Sequence, residues 1–328
     1  MNKCPPLVVI SLNPAIDRIV EVAGLTIGAH QAGRRLVRQP AGKGINVARC
    51  LAKLGCESTV IGFLGFAEIP EFERFLTADG QNRIRCYFTP IAGTTRENIT
   101  MVDNLRHNDT HIREQGPGVT VEDVGRLHRV IQAVVEPGSW VVLTGSMPPG
   151  MSTEQMQGLL TKVTTIGAKL IVDMAGDVLK QLFAKPPENL FLMKPNQEEF
   201  MQATSDSTVV IEDEQKVELL ARELLRRSKG IEWTAVSMGA QGVVLVHKDK
   251  AWHGKLPLPG DQIRTTVGCG DAMLAGLIAG LKKQLPPEEL LVYSLAIAGA
   301  NAMALGAANF DASSLTRLAT QATCIQMI

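Results

Sequence analysis

The chain has 328 residues, 45% of them hydrophobic, and its 33 Lys and Arg equal its 33 Asp and Glu, so the formal net charge is zero. This balance argues against a protein that binds nucleic acid or a membrane surface, because such proteins usually carry an excess of basic residues. None of the six cysteines forms a Cys-x-x-Cys pair, which argues against a zinc site or a redox dithiol. Cysteines this sparse are typical of a reducing cytosol, so we expect a cytoplasmic protein.

The first third of the chain predicts strands and helices without a regular alternation. In order, they are a buried strand at 7–12, a helix at 44–54, a strand at 58–63 and a short helix at 71–77. Residues 86–115 look different, because three short β-like runs are separated there by polar breaks. They predict a small sheet that stands apart from the main body, with strands at 86–91, 98–102 and 110–113.

From about residue 119 onward, predicted helices and strands alternate regularly. The helices are 120–135, 152–165, 177–184 and 213–228, and they lead to strands at 140–144, 169–173, 190–193 and 235–237. This alternation is the signature of an α/β fold with a doubly wound, mostly parallel sheet and helices on both faces. A hairpin at 243–253 and two apolar helices, 271–282 and 288–305, follow. The last helix has a start signal and internal polar residues, so we expect it to be buried rather than to cross a membrane.

The segment 266–276 places Gly268, Cys269 and Gly270 directly before Asp271, which opens an apolar helix. The glycines permit a tight turn whose backbone N–H groups converge, and the helix start adds a partial positive charge. Such a turn suits the charge of a transferring phosphoryl group, and a carboxylate beside it can accept the proton of an attacking hydroxyl. Asp is also a good helix N-cap and Gly is common in turns, so the segment alone leaves both interpretations open. It is not a Walker A loop, because no Gly-Lys-Ser or Gly-Lys-Thr follows.

Two basic residues, Lys43 and Arg96, lie in segments where they can meet a ligand. Gly42 frees the backbone beside Lys43 to approach a bound molecule, and the planar guanidinium of Arg96 suits the geometry of a phosphate. Taken alone, each is better explained as a solvated surface side chain. Asp17, which follows an Asn-Pro pair, is likewise explained by an ordinary turn.

Asn196 and Glu199 stand three residues apart where a predicted strand gives way to a helix. Both can organise water around Mg²⁺, an ion that prefers oxygen ligands and keeps several waters. The same pair also makes a capping box with Asn196 as the cap, and the two interpretations can hold together. Ser146 follows another predicted strand, in the position where open α/β sheets bind their ligands.

Together these segments resemble the PfkB/ribokinase-type carbohydrate kinases. Residues 268–271 resemble the family signature Gly-Ala-Gly-Asp, and residues 41–48 resemble Gly-Gly-Lys-Gly-x-Asn-x-Ala. Residues 95–98 resemble the Thr-Arg-x-Asn element of the phosphofructokinase-like branch, which contains 1-phosphofructokinases and tagatose-6-phosphate kinases. The likeness covers about 11–308 with the motifs in family order. The sequence departs from the family pattern at Ala41, Cys269 and Ala272.

The resemblance implies a ribokinase-like fold and a role for each matching residue. Asp271 is the expected catalytic base, with Gly268, Cys269 and Gly270 as the anion hole. The substrate-binding residues it implies are Asp17, Gly42, Lys43, Asn46, Arg96 and Ser146. The ATP-binding residues it implies are Lys194, Asn196, Ser237, Gly239, Gly242 and Asn301, while Glu199 holds Mg²⁺ through water.

The resemblance also implies a reaction, the transfer of the ATP γ-phosphoryl group to a hydroxyl of a phosphohexose. Fructose 1-phosphate is the preferred substrate, with Lys43 and Arg96 on the phosphate that it already carries. Tagatose 6-phosphate and fructose 6-phosphate are alternatives. An alternative of a different class is a non-catalytic sensor of sugar phosphates or nucleotides on a kinase fold, and the intact Asp271 argues against it.

No internal repeat or low-complexity linker divides the chain, so we expect one domain over 1–328. Within it, a lid made of about 18–38 and 86–115 would exclude water, which competes with the sugar as a nucleophile. Lid sheets of this kind often pair in the family, and the resemblance therefore implies a homodimer joined through the lid. The expected partner is a small sugar phosphate, with neither nucleic acid nor membrane.

Overall fold

The computed structural model of the protein describes residues 5–106, 108–204 and 214–328. Within them the strands are β1 (Leu7–Ser11), β2 (Ala15–Val22), β3 (Arg34–Ala41), β4 (Ser58–Gly65), β5 (Ile84–Ile91), β6 (Glu97–Asp103), β7 (Asn108–Arg113), β8 (Trp140–Thr144), β9 (Lys169–Asp173), β10 (Leu190–Met193), β11 (Trp233–Ser237), β12 (Val243–His247), β13 (Lys250–Lys255) and β14 (Thr323–Gln326). The helices are α1 (Lys43–Lys53), α2 (Ile69–Asp79), α3 (Val121–Val134), α4 (Thr153–Thr165), α5 (Gly176–Ala184), α6 (Gln197–Thr204), α7 (Glu214–Arg227), α8 (Cys269–Lys282), α9 (Pro287–Ala302) and α10 (Leu315–Gln321).

The main sheet contains ten of the described strands, in the order β14-β13-β12-β11-β10-β9-β8-β1-β4-β5. Neighbours from β11 to β5 run parallel, and β12, β13 and β14 extend the sheet antiparallel at one edge. The chain runs outward from β1 through β4 to β5, then returns to β8 and runs outward on the other side. Strand order therefore reverses between β1 and β8, which is where open sheets form a ligand crevice at their carboxyl ends. The predicted doubly wound, mostly parallel sheet is confirmed.

Helices cover both faces of the main sheet, as predicted. Strands β1 and β8 are buried along their whole length, because their apolar side chains alternate between two covered faces. One face packs against α1, α2, α8 and α9, and the other against α3, α4 and α5. The apolar stretch predicted at 288–305 is the buried helix α9. None of the helices in the described ranges is long and apolar enough to span a bilayer.

A buried arginine ties α1 to two other parts of the molecule. Arg49 is 1% exposed, and its Nε donates to Oδ2 of Asp79, at the end of α2, over 2.8 Å. Its Nη1 donates to the carbonyl of Ala307 at 3.0 Å, and its Nη2 donates to Oδ1 of Asn309 at 3.0 Å. A buried charge is costly unless it is paired and hydrogen-bonded, so these partners stabilise one arrangement of α1 against the loop that follows α9.

A separate small sheet is built from four of the described strands in the order β3-β2-β6-β7. Strand β2 pairs antiparallel with β3 and parallel with β6, and β6 pairs antiparallel with β7. The register places Asn98 opposite Asp17 on one side and opposite Arg113 on the other. The existence of a small sheet apart from the main body is confirmed.

The prediction that residues 86–91 belong to the small sheet is wrong. They lie in β5, which pairs in parallel with β4 at the edge of the main sheet. An edge strand can carry polar residues and proline, here the exposed Arg85 and Pro90, and its sequence therefore looks like that of a free-standing sheet. The small sheet instead takes β2 and β3, which overlap the predicted range 18–38, together with β6 and β7.

Candidate active site

A cavity of about 1150 Å³ opens where β1 and β8 end, between the main sheet and the small sheet. Ser11 and Thr144, the last residues of these two strands, line it. The cavity brings together predicted residues from motifs that lie far apart in the chain. The predicted residues that line it are Asp17, Gly42, Lys43, Asn46, Arg96, Ser146, Lys194, Asn196, Glu199, Ser237, Gly239, Gly242, Gly268, Cys269, Gly270 and Asp271.

Helix α8 begins in the cavity wall with a turn that requires glycine. Gly268 has a left-handed backbone, with φ 78° and ψ 0°, and a Cβ there would lie 2.5 Å from the Cβ of Ala307. The first N–H groups of a helix have no carbonyl partner within it, so the turn presents donors and the positive end of the helix dipole to the cavity. Cys269 directs its Sγ toward Nδ2 of Asn301, 3.6 Å away. The turn can therefore bind an anion at the start of α8.

Asp271 lies in the first turn of α8 and is 5% exposed. Its Oδ2 accepts a hydrogen bond of 2.9 Å from Nδ2 of Asn46, on α1. Burial, and after it the negative charge of Asp173, raise the pKa of this carboxyl group to about 7, although the hydrogen bond from Asn46 and the charges of Lys43 and Lys194 lower it. A carboxylate with a pKa near 7 is suited to accept a proton at neutral pH.

Asp173, at the carboxyl end of β9, is a site residue that the sequence motifs do not reveal. It is 1% exposed, and its carboxylate lies 3.7 Å from Nζ of Lys43 and 3.4 Å from Nζ of Lys194. Thr144 Oγ1 donates a further hydrogen bond of 3.3 Å to it. The charge of Asp173 raises the pKa of Lys43, so that this lysine stays protonated. The signal that could have found Asp173 was a carboxylate directly after a buried apolar strand, since parallel strands bind ligands at that end.

Asn196 and Glu199 form the predicted capping box at the start of α6. The backbone N–H of Asn196 donates to Oε2 of Glu199 at 2.9 Å, and the N–H of Glu199 donates to Oδ1 of Asn196 at 2.8 Å. The other carboxylate oxygen of Glu199, Oε1, lies 3.9 Å from Nζ of Lys43. Among the residues that the structure describes, no group of three or more His, Cys, Asp or Glu side chains could hold a metal ion. A divalent ion in this cleft would therefore keep water or phosphate oxygens as most of its ligands.

The small-sheet side of the cavity contains Asp17 and Arg96. Oδ1 of Asp17 accepts a hydrogen bond of 2.9 Å from Nδ2 of Asn98, and burial raises the pKa of its carboxyl group. Arg96 donates from Nε and Nη2 to the carbonyl of Asn13, at 3.2 and 3.0 Å, and from Nη1 to the carbonyl of Glu114, at 3.1 Å. Arg96 therefore bridges the chain that enters β2 and the chain that leaves β7.

Four further predicted residues line the cavity at two separate places, one beside the small sheet and the other at the antiparallel edge of the main sheet. Ser146 accepts a hydrogen bond of 3.2 Å from Nδ2 of Asn13, which places it beside the entry to the small sheet. Ser237, Gly239 and Gly242 lie at the turn that joins β11 to β12. This turn belongs to the antiparallel edge of the main sheet, and the cavity therefore extends from the small sheet to that edge.

The expectation that Asn301 contacts a nucleotide is corrected. Asn301 is fully buried on α9 and lies behind the cavity wall. Its Nδ2 donates to the carbonyl of Val267 at 3.0 Å, and its Oδ1 accepts from the N–H of Ala308 at 2.8 Å. Because both groups are engaged by backbone, Asn301 positions the turn before Gly268.

Fold and cleft together define a sugar kinase of ribokinase-like architecture, with a glycine turn at a helix start, a buried carboxylate and two lysines in one cavity. Over residues 7–313 the chain matches the pfkB family of carbohydrate kinases, and it belongs to that family. The predicted family and the predicted class of enzyme are both confirmed.

Two named relatives and one solved structure illustrate the match. The chain is 33% identical over 316 residues to the 1-phosphofructokinase of Vibrio cholerae, covering 96% of this chain and 95% of that protein. It is 29% identical over 280 residues to the 1-phosphofructokinase of Bacillus subtilis, covering 85% and 87%. The structure of Escherichia coli phosphofructokinase-2 in complex with fructose-6-phosphate has a TM-score of 0.84 at 22% identity, over 96% of this chain and 98% of that chain. At that identity the structural likeness supports the fold alone.

Replacing Asp173 by Asn tests its electrostatic effect on Asp271. The substitution removes a charge that raises the pKa of Asp271 and leaves Lys43 and Lys194 to lower it, so we expect that pKa to fall below about 7. The carboxylate form then persists to lower pH, and the acidic limb of the kcat/KM profile should move to lower pH with it. We also expect kcat to fall, because both lysines lose their shared partner. A pH series of ATP-dependent turnover measures the two effects.

Asp177→Asn is the matched control, because Asp177 is exposed in the first turn of α5, only a few residues beyond Asp173. This variant should keep the profile of the unaltered protein. An acidic limb that stays in place in Asp173→Asn would show that Asp173 does not set the pKa of Asp271.

Proposed function

We propose that the protein transfers the γ-phosphoryl group of ATP to a hydroxyl of fructose 1-phosphate, which yields ADP and fructose 1,6-bisphosphate. The observation that carries this proposal is the buried carboxylate of Asp271, with a pKa raised to about 7, beside the anion-binding turn 268–270. The choice of sugar is supported by relatives of 33% and 29% identity that are named 1-phosphofructokinase.

The reacting hydroxyl needs a base on one side and a phosphoryl group on the other. Asn46 holds Oδ2 of Asp271, which leaves Oδ1 to accept the hydroxyl proton. As the sugar oxygen bonds to the γ-phosphorus, the bond between that phosphorus and the bridging oxygen breaks, and ADP leaves with the electron pair. Negative charge on the γ-phosphoryl oxygens is stabilised by the N–H groups of Gly268 and Gly270 and by the dipole of α8, while the N–H of Cys269 donates to the carbonyl of Thr266 at 3.4 Å.

Two lysines place positive charge between the sugar and the nucleotide. Lys194 is 3% exposed, and a Cβ on Gly270 would lie 3.6 Å from its Nζ, so this ammonium group adjoins the anion-binding turn. Lys43 lies at the start of α1 and shares the carboxylate of Asp173 with Lys194. Because Asp173 holds both, the two charges stay in the cleft through the reaction.

We further propose ATP with Mg²⁺ as the phosphoryl donor, as is general for sugar kinases of this family. Apart from its ion pair with Lys194, Oδ1 of Asp173 is buried without a hydrogen-bond partner among the described residues. This oxygen and Oε1 of Glu199 fit the water shell of a hydrated Mg²⁺ better than a closed cage of ligands. Bound Mg²⁺ supplies positive charge to the phosphate oxygens during transfer.

Tagatose 6-phosphate and fructose 6-phosphate remain the alternative substrates. A structural neighbour is described in complex with fructose-6-phosphate, which keeps that sugar among the candidates. With ATP in excess, we expect fructose 1-phosphate to give the highest kcat/KM of the three phosphohexoses. A coupled assay of ADP release measures the series, and a higher value for either alternative would reassign the substrate.

Asp271→Asn tests the base directly. The substitution keeps the shape of the side chain and removes its basicity, so we expect kcat to fall by about 10²- to 10⁴-fold, the usual range for a general base. Binding of fructose 1-phosphate, measured by calorimetry, should stay close to that of the unaltered protein. Asp249→Asn, at the exposed turn between β12 and β13, is the matched control.

Two results would contradict this assignment. Turnover at the original rate in Asp271→Asn would exclude this carboxylate as the base. Binding of a phosphohexose by the unaltered protein without any ATP consumption would favour the non-catalytic sensor.

We also propose a cytoplasmic homodimer joined through the small sheet, which would act as a lid over the cavity. The sparse, unpaired cysteine pattern supports the compartment. Leu36, an apolar side chain that is 37% exposed on the small sheet and lies outside the cavity lining, supports association through it. Escherichia coli phosphofructokinase-2 is described in a tetrameric inhibited form, which shows that a structural neighbour self-associates.

Sedimentation equilibrium tests the dimer. We expect twice the chain mass of 35.4 kDa, and we expect Leu36→Asp to shift the population toward monomer by burying a charge in the contact. Val121→Asp is the control, because Val121 is 79% exposed at the start of α3, away from the small sheet. A single species of 35.4 kDa at micromolar concentration would exclude the dimer.

A further inference from the structure

A buried cation lies behind the glycine turn that begins α8. Arg49 is 1% exposed and lies outside the cavity lining, yet its Nη1 donates a hydrogen bond of 3.0 Å to the carbonyl of Ala307. Nε donates to Asp79 and Nη2 donates to Asn309, so all three nitrogens of the guanidinium are engaged. A buried charge is tolerated only where its partners are well placed. The position of the Ala307 carbonyl is therefore fixed from behind the cavity wall.

The peptide group between Ala307 and Ala308 is held on both sides. Its carbonyl accepts the hydrogen bond from Arg49, and its N–H donates to Oδ1 of Asn301 at 2.8 Å. Ala308 has a left-handed backbone with φ 58°, which is uncommon for a residue other than glycine and persists where the surroundings enforce it. Arg49 and Asn301 enforce it here, because each bonds to one side of the same peptide.

Asn301 extends this restraint to a second peptide group, the one between Val267 and Gly268. Its Nδ2 donates to the carbonyl of Val267 at 3.0 Å. No peptide bond in the described ranges is cis, and in a trans peptide the carbonyl and the following N–H point in opposite directions. Asn301 is fully buried behind the cavity wall, so the N–H of Gly268 points the other way, toward the cavity that Gly268 lines.

Three amides thus form a hydrogen-bonded chain that leads from Arg49 to the cavity. They are the 307–308 peptide, the side chain of Asn301 and the 267–268 peptide, and we call them the amide relay. In each of them the oxygen accepts on the side of Arg49 and the N–H lies on the side of the cavity. Aligned amides polarise one another, and their positive ends add to that of the α8 dipole.

We propose that Arg49 is a positioning residue for phosphoryl transfer, which acts through the amide relay to direct the N–H of Gly268 at the transferring γ-phosphoryl group. This inference rests on the proposed function. Asp79 lies 2.8 Å from Nε and offsets much of the charge of Arg49, so the effect comes mainly from orientation. A donor aimed at the transition state raises kcat and leaves the affinity for the two substrates unchanged.

Arg49→Lys tests the proposal through a split between kcat and KM. Lysine keeps the charge but loses the fork that reaches Asp79, Ala307 and Asn309 together, so the relay loses its fixed end. We expect kcat to fall by about 10- to 100-fold, as when a transition-state donor is misplaced. KM for fructose 1-phosphate and for ATP should stay within about twofold of the original values, because the variant alters no contact to either substrate.

Asn309→Ala is the matched control for this variant. It removes a hydrogen bond from Nη2 of the same guanidinium, in the same loop, and leaves Nη1 on the carbonyl of Ala307. We expect this control to lower the melting temperature and to keep kcat within about twofold of the original value. A purely structural role of Arg49 predicts instead that kcat falls along with the melting temperature in both variants.

Asn301→Ala interrupts the relay at its middle. It removes the hydrogen bonds to Val267 and Ala308 and leaves the partners of Arg49 in place. We expect the same loss of kcat, about 10- to 100-fold, at an unchanged KM. In the double variant with Arg49→Lys the two losses should not add, because both changes interrupt one chain. Either variant that folds decides the question.

Binding calorimetry with aluminium fluoride as the probe makes the test independent of turnover. In the presence of ADP and Mg²⁺ this anion mimics the transferring phosphoryl group, so the unaltered protein should bind it at the glycine turn. Arg49→Lys and Asn301→Ala should weaken its binding by the same factor as kcat, while the Kd for ADP alone stays unchanged.

Three results would overturn the role of Arg49. They are an unchanged kcat in either folded variant, an equal weakening of ADP binding, and the absence of aluminium fluoride binding by the unaltered protein. If the unaltered protein phosphorylates no phosphohexose, the proposed function fails instead, and the binding of aluminium fluoride with ADP still decides whether Arg49 positions the turn.

Discussion

Two carboxylates buried in one cleft, Asp173 and Asp271, are the constraint on which the site depends. A buried charge is expensive unless an opposite charge or a hydrogen bond compensates it. Here the compensation comes from Lys43 and Lys194 around Asp173 and from Asn46 on Asp271. These side chains belong to β9, α8, α1 and the segment after β10. The compensation holds only when all four segments are in place, and it leaves Asp271 able to take up a proton near neutral pH.

The topology explains why one chain can bring these groups together. Parallel strands direct their carboxyl ends to one edge, and the reversal between β1 and β8 opens a crevice there instead of a closed layer. The small sheet is inserted into the chain on both sides of this crevice, after β1 and after β5. Arg96 bridges its entry and exit by binding the carbonyls of Asn13 and Glu114. Segments at the carboxyl edge of the main sheet therefore supply Asp173 and Lys194 to the cavity, and the small sheet supplies Asp17.

How far the sequence predicts this structure depends on the range of the interaction involved. Strands β8, β9 and β10 have the predicted bounds, because a strand buried on both faces is a continuous apolar run. The glycine turns were also predictable, since a left-handed backbone such as that of Gly268 restricts the residue type locally. Strand β5 was misplaced because edge pairing depends on a partner elsewhere in the chain. The carbonyl partners of Arg96 were missed for the same reason, since no local pattern encodes contacts made only in the folded chain. Asp173, in contrast, lies at the end of a buried apolar strand, a local signal that could have pointed to it.

The hydrogen bonds that Arg49 makes to Asp79, Ala307 and Asn309 have a consequence for redesign of this cleft. Arg49 lies on α1, which presents Lys43 and Asn46 to the cavity. Its guanidinium donates a hydrogen bond to the carbonyl of Ala307, the residue packed against Gly268. The relative position of the two sides of the cleft, α1 and the start of α8, thus depends on Arg49, whose side chain lies outside the cavity. A variant designed to increase the distance between the phosphoryl donor and its acceptor would therefore alter Arg49 first. Substituting the glycines that line the cavity would distort one side of the cleft without moving the other side.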